Sequence, residues 1–314
     1  MKNFTKFTTL VVLLCSLLFA FTACDSVDIP KDVKFDDTGY TVTFYDDFTG
    51  NSLDTTKWKI NNMPNLNPKL DGKRRACYYS KDMVNVSDGA LHITTQYKDN
   101  AWHTGWVETS QNVHKNLATT DYVGLAQKYG YFEVRCKCPK TKGIWSAFWL
   151  MPDEGNGMSA DNTLDTATDG CEIDVMESPY YFKNKEHCQH VIHFDGYNET
   201  HKRDMSKKYN VKNMYSEFHT YAVEWDADFL TFYIDGYKTY KTPIQINDKI
   251  YNTPQVLEYM ILSVEVGGHY DEEGNLFTGV EKDGSKSWAG DPMDNDLTKI
   301  YDFEIDYVKV MQKQ

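Results

Sequence analysis

Short stretches of alternating apolar and polar residues, separated by turn residues, run through most of the chain. A period of two is typical of β-strands with one buried and one exposed face. No segment of a dozen residues has apolar positions at the 3.6-residue period of a helix. The stretches that predict strands are Tyr40–Phe44, Val84–Val86, Leu91–Thr95, Tyr131–Cys136, Tyr221–Trp225, Leu230–Ile234 and Ile305–Val310.

The turn residues and the strand spacing together predict one all-β domain. Asp235-Gly236 follows the Leu230–Ile234 stretch and is a strong hairpin signal. Many short strands over roughly 270 residues, without an internal repeat, favour a β-sandwich. Two long polar loops, 153–170 and 269–297, are of the kind that often borders a functional site.

The first 23 residues predict a bacterial export signal. Lys2 and Lys6 precede an apolar run, Leu10–Phe21, that is shorter than the roughly 20 residues of a membrane-spanning helix. Cys24 lies where a lipoprotein is cut and acylated, although Phe21 replaces the usual leucine. We therefore expect a signal over 1–23, a lipid on Cys24, a tether over 24–38 and a domain over 39–314.

This N-terminus predicts a location in the bacterial cell envelope, either lipid-anchored at the outer membrane or cell surface, or periplasmic. The alternative is an ordinary signal peptide, with Cys24 at that position by chance. The chain has a formal charge of −13, which becomes −15 without the two lysines of the signal. Such a charge disfavours nucleic acid and anionic lipid as partners, so only the anchor is expected to contact a membrane.

The cysteine and aromatic residues give further indications of the class of protein. Five cysteines follow Cys24, and an odd number is not typical of a scaffold held by disulfides. No group of histidines and cysteines has zinc-binding spacing. The 22 tyrosines and 7 tryptophans are more than a plain core needs, and such rings also serve as stacking platforms for sugars.

The sequence GCEIDVMESP, residues 170–179, holds three carboxylates: Glu172, Asp174 and Glu177. Strict alternation puts Glu172 and Asp174 on one face and Glu177 on the other. A β-bulge near Val175–Met176 resets the alternation and turns all three to one face. Two glutamates brought close in this way are what a retaining glycosidase requires, whereas acids on the wet face of a strand are the alternative.

The acidic strand resembles the active-site strand of glycoside hydrolase family 16, in the bulged form of its laminarinase- and agarase-like clan. The order and spacing of the other segments strengthen the resemblance. The segments similar to family motifs are Asp88–Ile93, Tyr129–Arg135, Gly143–Pro152, Tyr221–Trp225 with Tyr233–Gly236, and the closing Ile305–Val310.

The resemblance implies a curved β-jelly-roll sandwich, similar to concanavalin A, with a substrate cleft on its concave face. It implies that Glu172 is the nucleophile, Glu177 the acid/base and Asp174 an assisting acid. The expected activity is endo-hydrolysis of a β-linked polysaccharide by double displacement, without a cofactor, by a monomer. Two other readings stay open: transglycosylation through the same intermediate, and a lectin-like lipoprotein that only binds glycans.

Several side chains near the acids are candidates for sugar binding. Trp145 and Trp149 have the same strand parity and either lie in the core or stack on sugar rings. Trp106, with Trp102 in the loop before it, is expected to line distal subsites. His193 lies on the strand expected to pair with the acidic one, as a structural residue or as a neighbour of the acids.

Two further sites follow from the resemblance or from departures from it. Asp306 and the backbone near Gly89 correspond to a structural calcium site of the family, or Asp306 pairs within the last strand. Lys73-Arg74-Arg75 stands where glucan-cleaving members carry polar, uncharged or acidic residues. Arg75 is therefore a candidate for binding an acidic glycan, or part of a solvated loop, and β-1,3-glucan, galactans and mucin-type glycans all remain possible substrates.

Overall fold

The computed structural model describes residues 26–61, 76–111, 123–153, 163–178, 186–270, 276–277 and 290–314. Within these ranges the only helices are two single 3₁₀ turns, Lys81–Met83 and Pro292–Asp294. No helix of the described residues is long and apolar enough to cross a membrane. Cys24 and Arg75 lie outside the described residues, so the predictions about them stay predictions.

The rest of the regular structure consists of strands. The first twelve are β1 (Val27–Asp28), β2 (Tyr40–Asp46), β3 (Lys59–Ile60), β4 (Cys77–Tyr79), β5 (Val84–Ser87), β6 (Ala90–Lys98), β7 (Ala101–Thr104), β8 (Trp106–Glu108), β9 (Ala126–Gln127), β10 (Gly130–Lys137), β11 (Ile144–Pro152) and β12 (Glu172–Ser178). The others are β13 (His187–Cys188), β14 (Val191–Phe194), β15 (Lys202–Met205), β16 (Tyr209–Asn210), β17 (His219–Trp225), β18 (Leu230–Ile234), β19 (Tyr237–Thr242), β20 (Gln245–Ile246), β21 (Lys249–Ile250), β22 (Glu258–Val266), β23 (His269–Tyr270), β24 (Leu276–Phe277) and β25 (Ile300–Lys313).

Two large sheets form the sandwich. The eight-stranded sheet has the order β15-β14-β12-β11-β22-β8-β3, and β9 also pairs with β22. The ten-stranded sheet has the order β19-β18-β17-β10-β25-β6-β7-β4, with β2 added to β25 and β5 to β6. Chain neighbours are often separated in the sheets, as where β10 lies between β17 and β25, so long-range pairings hold the fold together.

The core lies between the sheets because alternate residues of each strand are apolar. Phe148 and Leu150 of β11 are fully buried, as are Phe132 and Val134 of β10 in the other sheet. All the strand stretches predicted from the sequence lie in strands of the structure. The expected hairpin is also confirmed, since Asp235 and Gly236 adopt positive φ angles of 52° and 73° between β18 and β19.

Five buried cysteines of the described residues are free thiols, which confirms that disulfides do not hold this part of the chain. The described part of the expected tether, 26–38, differs from the prediction, because it lies against the domain. β1 pairs in parallel with β16, and the ring of Phe35 stacks on Tyr131 at 3.7 Å between centroids. An apolar ring covering the outer face of a sheet removes both from water, which a free linker cannot do.

Candidate active site

Glu177 lies on the same face as Glu172 and Asp174 because β12 contains the predicted bulge. Its pairing with β11 aligns Ala147 with Glu177, but two residues further along β11 Trp149 is aligned with Asp174. Two residues on β11 thus correspond to three on β12, and Val175 is the extra one. Directly paired residues share a face of the sheet, so Asp174 and Glu177 lie on the same side.

We call this side of the eight-stranded sheet the acidic face and define it by Glu172, Asp174, Glu177, Trp145 and Trp149. Glu172 belongs to it because it lies two residues before Asp174. The two tryptophans are partly exposed, whereas Ser146 and Phe148, which point to the opposite face of β11, are buried. Part of each indole is therefore available to a ligand on this face, as sugar stacking requires.

Direct contacts tie the carboxylates to their neighbours. The indole N–H of Trp145 donates a hydrogen bond to Glu177 Oε1 at 2.8 Å. His193 pairs with Glu172 across β14 and β12, as the sequence predicts, and its Nε2 lies 3.5 Å from Asp174 Oδ2. Ligand atoms of Glu172, Asp174 and His193 all lie within 4.8 Å of one another, so the side chains converge on one point.

A buried histidine holds the bulge in place. His190 is completely buried, and its Nδ1 lies 2.7 Å from the carbonyl oxygen of Val175, the extra residue of β12. A carbonyl only accepts, so Nδ1 carries the proton and donates. The ring also stacks on Phe232 of the opposite sheet, with 4.6 Å between centroids. The carbonyl of Val175, which the bulge takes out of the regular strand pairing, thus finds its hydrogen-bond partner in His190.

Burial lowers the pKa of His190 to about 4, against the partial compensation of its bond to Val175. A histidine with a lower pKa in the folded state binds more protons when unfolded, so its contribution to stability is complete above about pH 6.5 and is lost towards pH 4. The loss amounts to about 3 kcal/mol of unfolding free energy. We expect His190→Gln, which still donates an N–H but does not titrate, to lack this loss in denaturant titrations at pH 7 and pH 4.

His92 provides a control because its pKa is shifted in the direction opposite to that of His190. Burial lowers its pKa, but the bonds to Asp302 outweigh this, so the net shift is upward. Stability from His92 is complete below about pH 6.5 and falls as the pH rises through the raised value, so His92→Gln is expected to change the profile in the opposite direction. An equal loss of stability towards pH 4 in wild type and His190→Gln would contradict the role of His190.

The start of β12 is held by a buried carboxyl group. Glu258, the first residue of β22, is fully buried, and its Oε1 accepts a hydrogen bond from the backbone N–H of Cys171 at 3.2 Å. Burial raises the pKa of Glu258 well above its usual range, against the effect of this bond. Glu258 therefore contributes a buried carboxyl group that fixes the residue directly before Glu172.

Sequence reasoning missed four residues around the acidic strand: Glu258, His190, Tyr197 and His201. The hydroxyl of Tyr197 donates a hydrogen bond to Glu172 Oε2, and His201 Nε2 lies 2.7 Å from His193 Nδ1. The available signal for His190, Tyr197 and His201 was the sequence HVIHFDGYNETH, which contains three histidines and a tyrosine in and around the predicted partner strand. Its pattern alone does not show which of them reach the acids.

Two of the aromatic candidates lie in strands rather than in an exposed loop. Trp102 is completely buried, so its predicted place in the cleft is wrong. Trp106 lies on the acidic face through its pairing with Ser263, but it is only 5% exposed. Its ring packs edge-on against Trp149 at 5.3 Å, and its N–H donates to Glu108. Trp106 therefore supports Trp149 and offers little surface of its own to a sugar.

The surroundings of Asp306 do not fit a calcium site. Arg135 Nη1 lies 2.5 Å from Asp306 Oδ2, so a guanidinium already neutralises this carboxylate. Calcium takes six to eight oxygen ligands, several of them usually carboxylates. Among the described residues the only group of His, Cys, Asp and Glu side chains close enough to share an ion is the active-site group of Glu172. Gly89, in the turn between β5 and β6, adds at most a carbonyl.

Comparison with known proteins identifies the family of this sandwich and its acidic strand. The family model described as "Beta-porphyranase A-D, GH16 domain" matches residues 41–310. Because the match spans most of the chain, the protein belongs to glycoside hydrolase family 16, as its sequence motifs predict. The fold expected from that resemblance, an all-β sandwich of the jelly-roll type, is confirmed.

Two curated proteins and one solved structure illustrate the relationship. Endo-1,3-1,4-beta-glycanase EglC of Rhizobium meliloti (strain 1021) is 27% identical over 311 residues, covering 93% of this chain and 58% of that protein. Glucan endo-1,3-beta-glucosidase A1 of Niallia circulans is 26% identical over 264 residues, covering 78% and 36%. The chain therefore spans between about one third and three fifths of the length of these relatives.

The crystal structure of SCLam, a non-specific endo-beta-1,3(4)-glucanase from family GH16, has a TM-score of 0.62 to this protein at 22% sequence identity. The alignment covers 92% of this chain and 97% of that one. At this identity the comparison shows that the two proteins share a fold.

Proposed function

We propose that this protein is an endo-acting, retaining β-glycosidase that cleaves a β-linked polysaccharide. The observation that carries the proposal is the bulge at Val175, which turns Glu172 and Glu177 to the same face with Asp174 between them. Retaining glycosidases use two such carboxyl groups, one as nucleophile and one as acid/base. The partly exposed rings of Trp145 and Trp149 on the same face suit a carbohydrate ligand.

In the proposed reaction Glu172 attacks the anomeric carbon while Glu177 protonates the oxygen of the leaving sugar. Water then attacks the glycosyl–enzyme ester and gives a proton to Glu177, which restores both groups. Asp174 lies between them and, with His193 beside it, assists by sharing protons and hydrogen bonds. The bond from Trp145 holds Glu177 in place in the resting enzyme. Both steps need only side chains of the chain and water.

The names of the relatives point to two classes of substrate. The family model is named for porphyranases, and the two curated relatives are named for β-1,3- and β-1,3-1,4-glucan cleavage. We therefore propose a β-linked galactan or β-glucan as the substrate, with mucin-type glycans as a third choice. The cationic segment with Arg75 favours an acidic glycan within this set.

A digestion panel tests the proposal. Porphyran, agar-type galactans, laminarin, mixed-linkage glucan and mucin-type glycans are each incubated with the protein, and the products are followed by mass spectrometry and NMR. We expect internal cleavage of one class into oligosaccharides whose new reducing end first appears as the β-anomer. Initial release of the α-anomer would contradict retention. Binding of a glycan without any cleavage would instead identify a lectin-like protein.

We further propose that the enzyme is attached to the cell envelope by a lipid on Cys24. Cys24→Ser removes the only thiol that such processing can use, so the protein is expected to move from the membrane fraction to the soluble fraction. Cys15→Ser, which changes a cysteine inside the predicted signal, is the matched control and should leave the protein in the membrane fraction. Membrane retention of Cys24→Ser in cell fractionation would refute the anchor.

A further inference from the structure

The loop between β14 and β15, residues 195–201, reaches the carboxylate assigned as the nucleophile. Tyr197, in the middle of this loop, donates its hydroxyl hydrogen to Glu172 Oε2. Its oxygen also lies 3.9 Å from the sulfur of Met151 on β11. Tyr197 is 47% exposed as a residue, and both of these contacts are made by its hydroxyl group.

The loop is fixed to the body of the protein by charged groups. Asp195, which is 5% exposed, accepts hydrogen bonds from Lys202 Nζ at 2.6 Å and from the backbone N–H of Asp165 at 3.0 Å. The hydroxyl of Thr200 closes the loop by donating to the carbonyl of Asp195 at 2.6 Å. Tyr197 is thus held in place before a substrate arrives, as pre-organised sites require.

The same loop also contacts His193, the histidine that approaches Asp174. The ring of His201 stacks on His193 with 5.0 Å between centroids, and their facing nitrogens lie 2.7 Å apart. His193 in turn approaches Asp174 through Nε2. With its Nε2 proton directed at this carboxylate, neutral His193 accepts at Nδ1, so His201 is the donor of the pair.

From this geometry we propose that the 195–201 loop is a working part of the active site and that Tyr197 is a positioning residue for Glu172. The hydroxyl stabilises the carboxylate form by donating to Oε2, and Oε1 is the atom that attacks the anomeric carbon. During attack the bond from Oε1 to carbon forms, the bond to the leaving oxygen breaks, and the proton comes from Glu177. Tyr197 keeps its own proton throughout. The inference rests on the proposed nucleophile role of Glu172.

Tyr197→Phe removes the hydroxyl and keeps the ring. Because the hydroxyl orients the attacking carboxylate, we expect its loss to lower kcat about 10- to 100-fold with little change in KM. Losing a donor to a carboxylate also disfavours its ionised form. The acidic limb of the kcat/KM profile is therefore expected to move to higher pH, which a merely structural role of Tyr197 would not cause.

Other titratable groups surround Glu172 and contribute to the wild-type profile. They are Asp174 and Glu177 on its own strand, His193 and His201 from β14 and its loop, and Asp169, Cys171 and Glu258 at the start of β12. All of them are unchanged in Tyr197→Phe, so a difference between the two profiles reports the hydroxyl alone.

Tyr45→Phe is the matched control. Tyr45 is also 47% exposed but lies on β2 of the other sheet, so its variant should keep wild-type kcat and pH profile. If Tyr197→Phe had the kcat of the wild type and an unshifted acidic limb, the inference about Tyr197 would be overturned. The proposed function would still stand in that case, provided that the wild type is active and Glu172→Ala is inactive. A wild-type protein that cleaves no glycan of the panel would overturn both.

Discussion

Replacing Glu172 with alanine is expected to abolish hydrolysis of every substrate, with kcat lowered at least about 10⁴-fold, because the covalent intermediate has no carboxylate to form on. The fold should persist, since Glu172 lies on the acidic face and not in the apolar core. Azide fits the vacated space and is expected to restore turnover of an activated glycoside. The glycosyl azide formed should have the α configuration, because azide attacks from the side that Glu172 occupied.

The control for Glu172→Ala is a carboxylate far from the site. Glu304 lies on β25 of the other sheet and forms an ion pair with Lys137 at 2.6 Å. Glu304→Ala is expected to keep wild-type hydrolysis, because this partly exposed pair lies on the other sheet and not on the acidic face. Circular dichroism and melting curves verify that both variants are folded. Undiminished hydrolysis by Glu172→Ala would refute its role as nucleophile.

Replacing Glu177 with glutamine should slow natural substrates at least about a hundredfold, because the amide cannot protonate a sugar oxygen. The substitution keeps the size of the side chain, and its amide oxygen still accepts the hydrogen bond of Trp145. A dinitrophenyl glycoside needs little protonation of its leaving group. It should still form the glycosyl–enzyme ester at Glu172 rapidly, and the slow step becomes the hydrolysis of that ester.

The ratio of the two rates separates the roles of the two glutamates. In Glu177→Gln the activated substrate should form the ester much faster than natural substrates, and a burst of dinitrophenol measures this step. In Glu172→Ala, without azide, both substrates should fail alike. If Glu177→Gln lowered neither rate, the acid/base role would be wrong, although the bulge itself would stand on the strand pairing.

The sequence by itself determined the class of the fold and the family. Strands such as Tyr131–Cys136 and Leu230–Ile234 were predictable because alternation is local and follows directly from the geometry of an extended chain. The Asp235-Gly236 turn was predictable for the same reason, since two residues with positive φ close the hairpin. The three acids of β12 were visible as well, but alternation left two possible faces for Glu177.

The tertiary structure determines on which face Glu177 lies and which residues surround the three acids. The bulge falls at Val175 because His190 and the register with β11 accommodate it there, and both are contacts between separate strands. Tyr197 reaches Glu172 and His201 reaches His193 only because the loop that carries them folds back onto the acidic face.

Strand pairing also determines which of the aromatic side chains are buried. The sequence predicts that Trp102, in a loop, and Trp106, in the segment after it, line distal subsites, yet strand pairing takes Trp102 into the core and Trp106 under Trp149. The local pattern of a sequence specifies which residues alternate. Which of them meet depends on loop closure and on packing between strands that are far apart in the chain, and these are properties of the folded molecule alone.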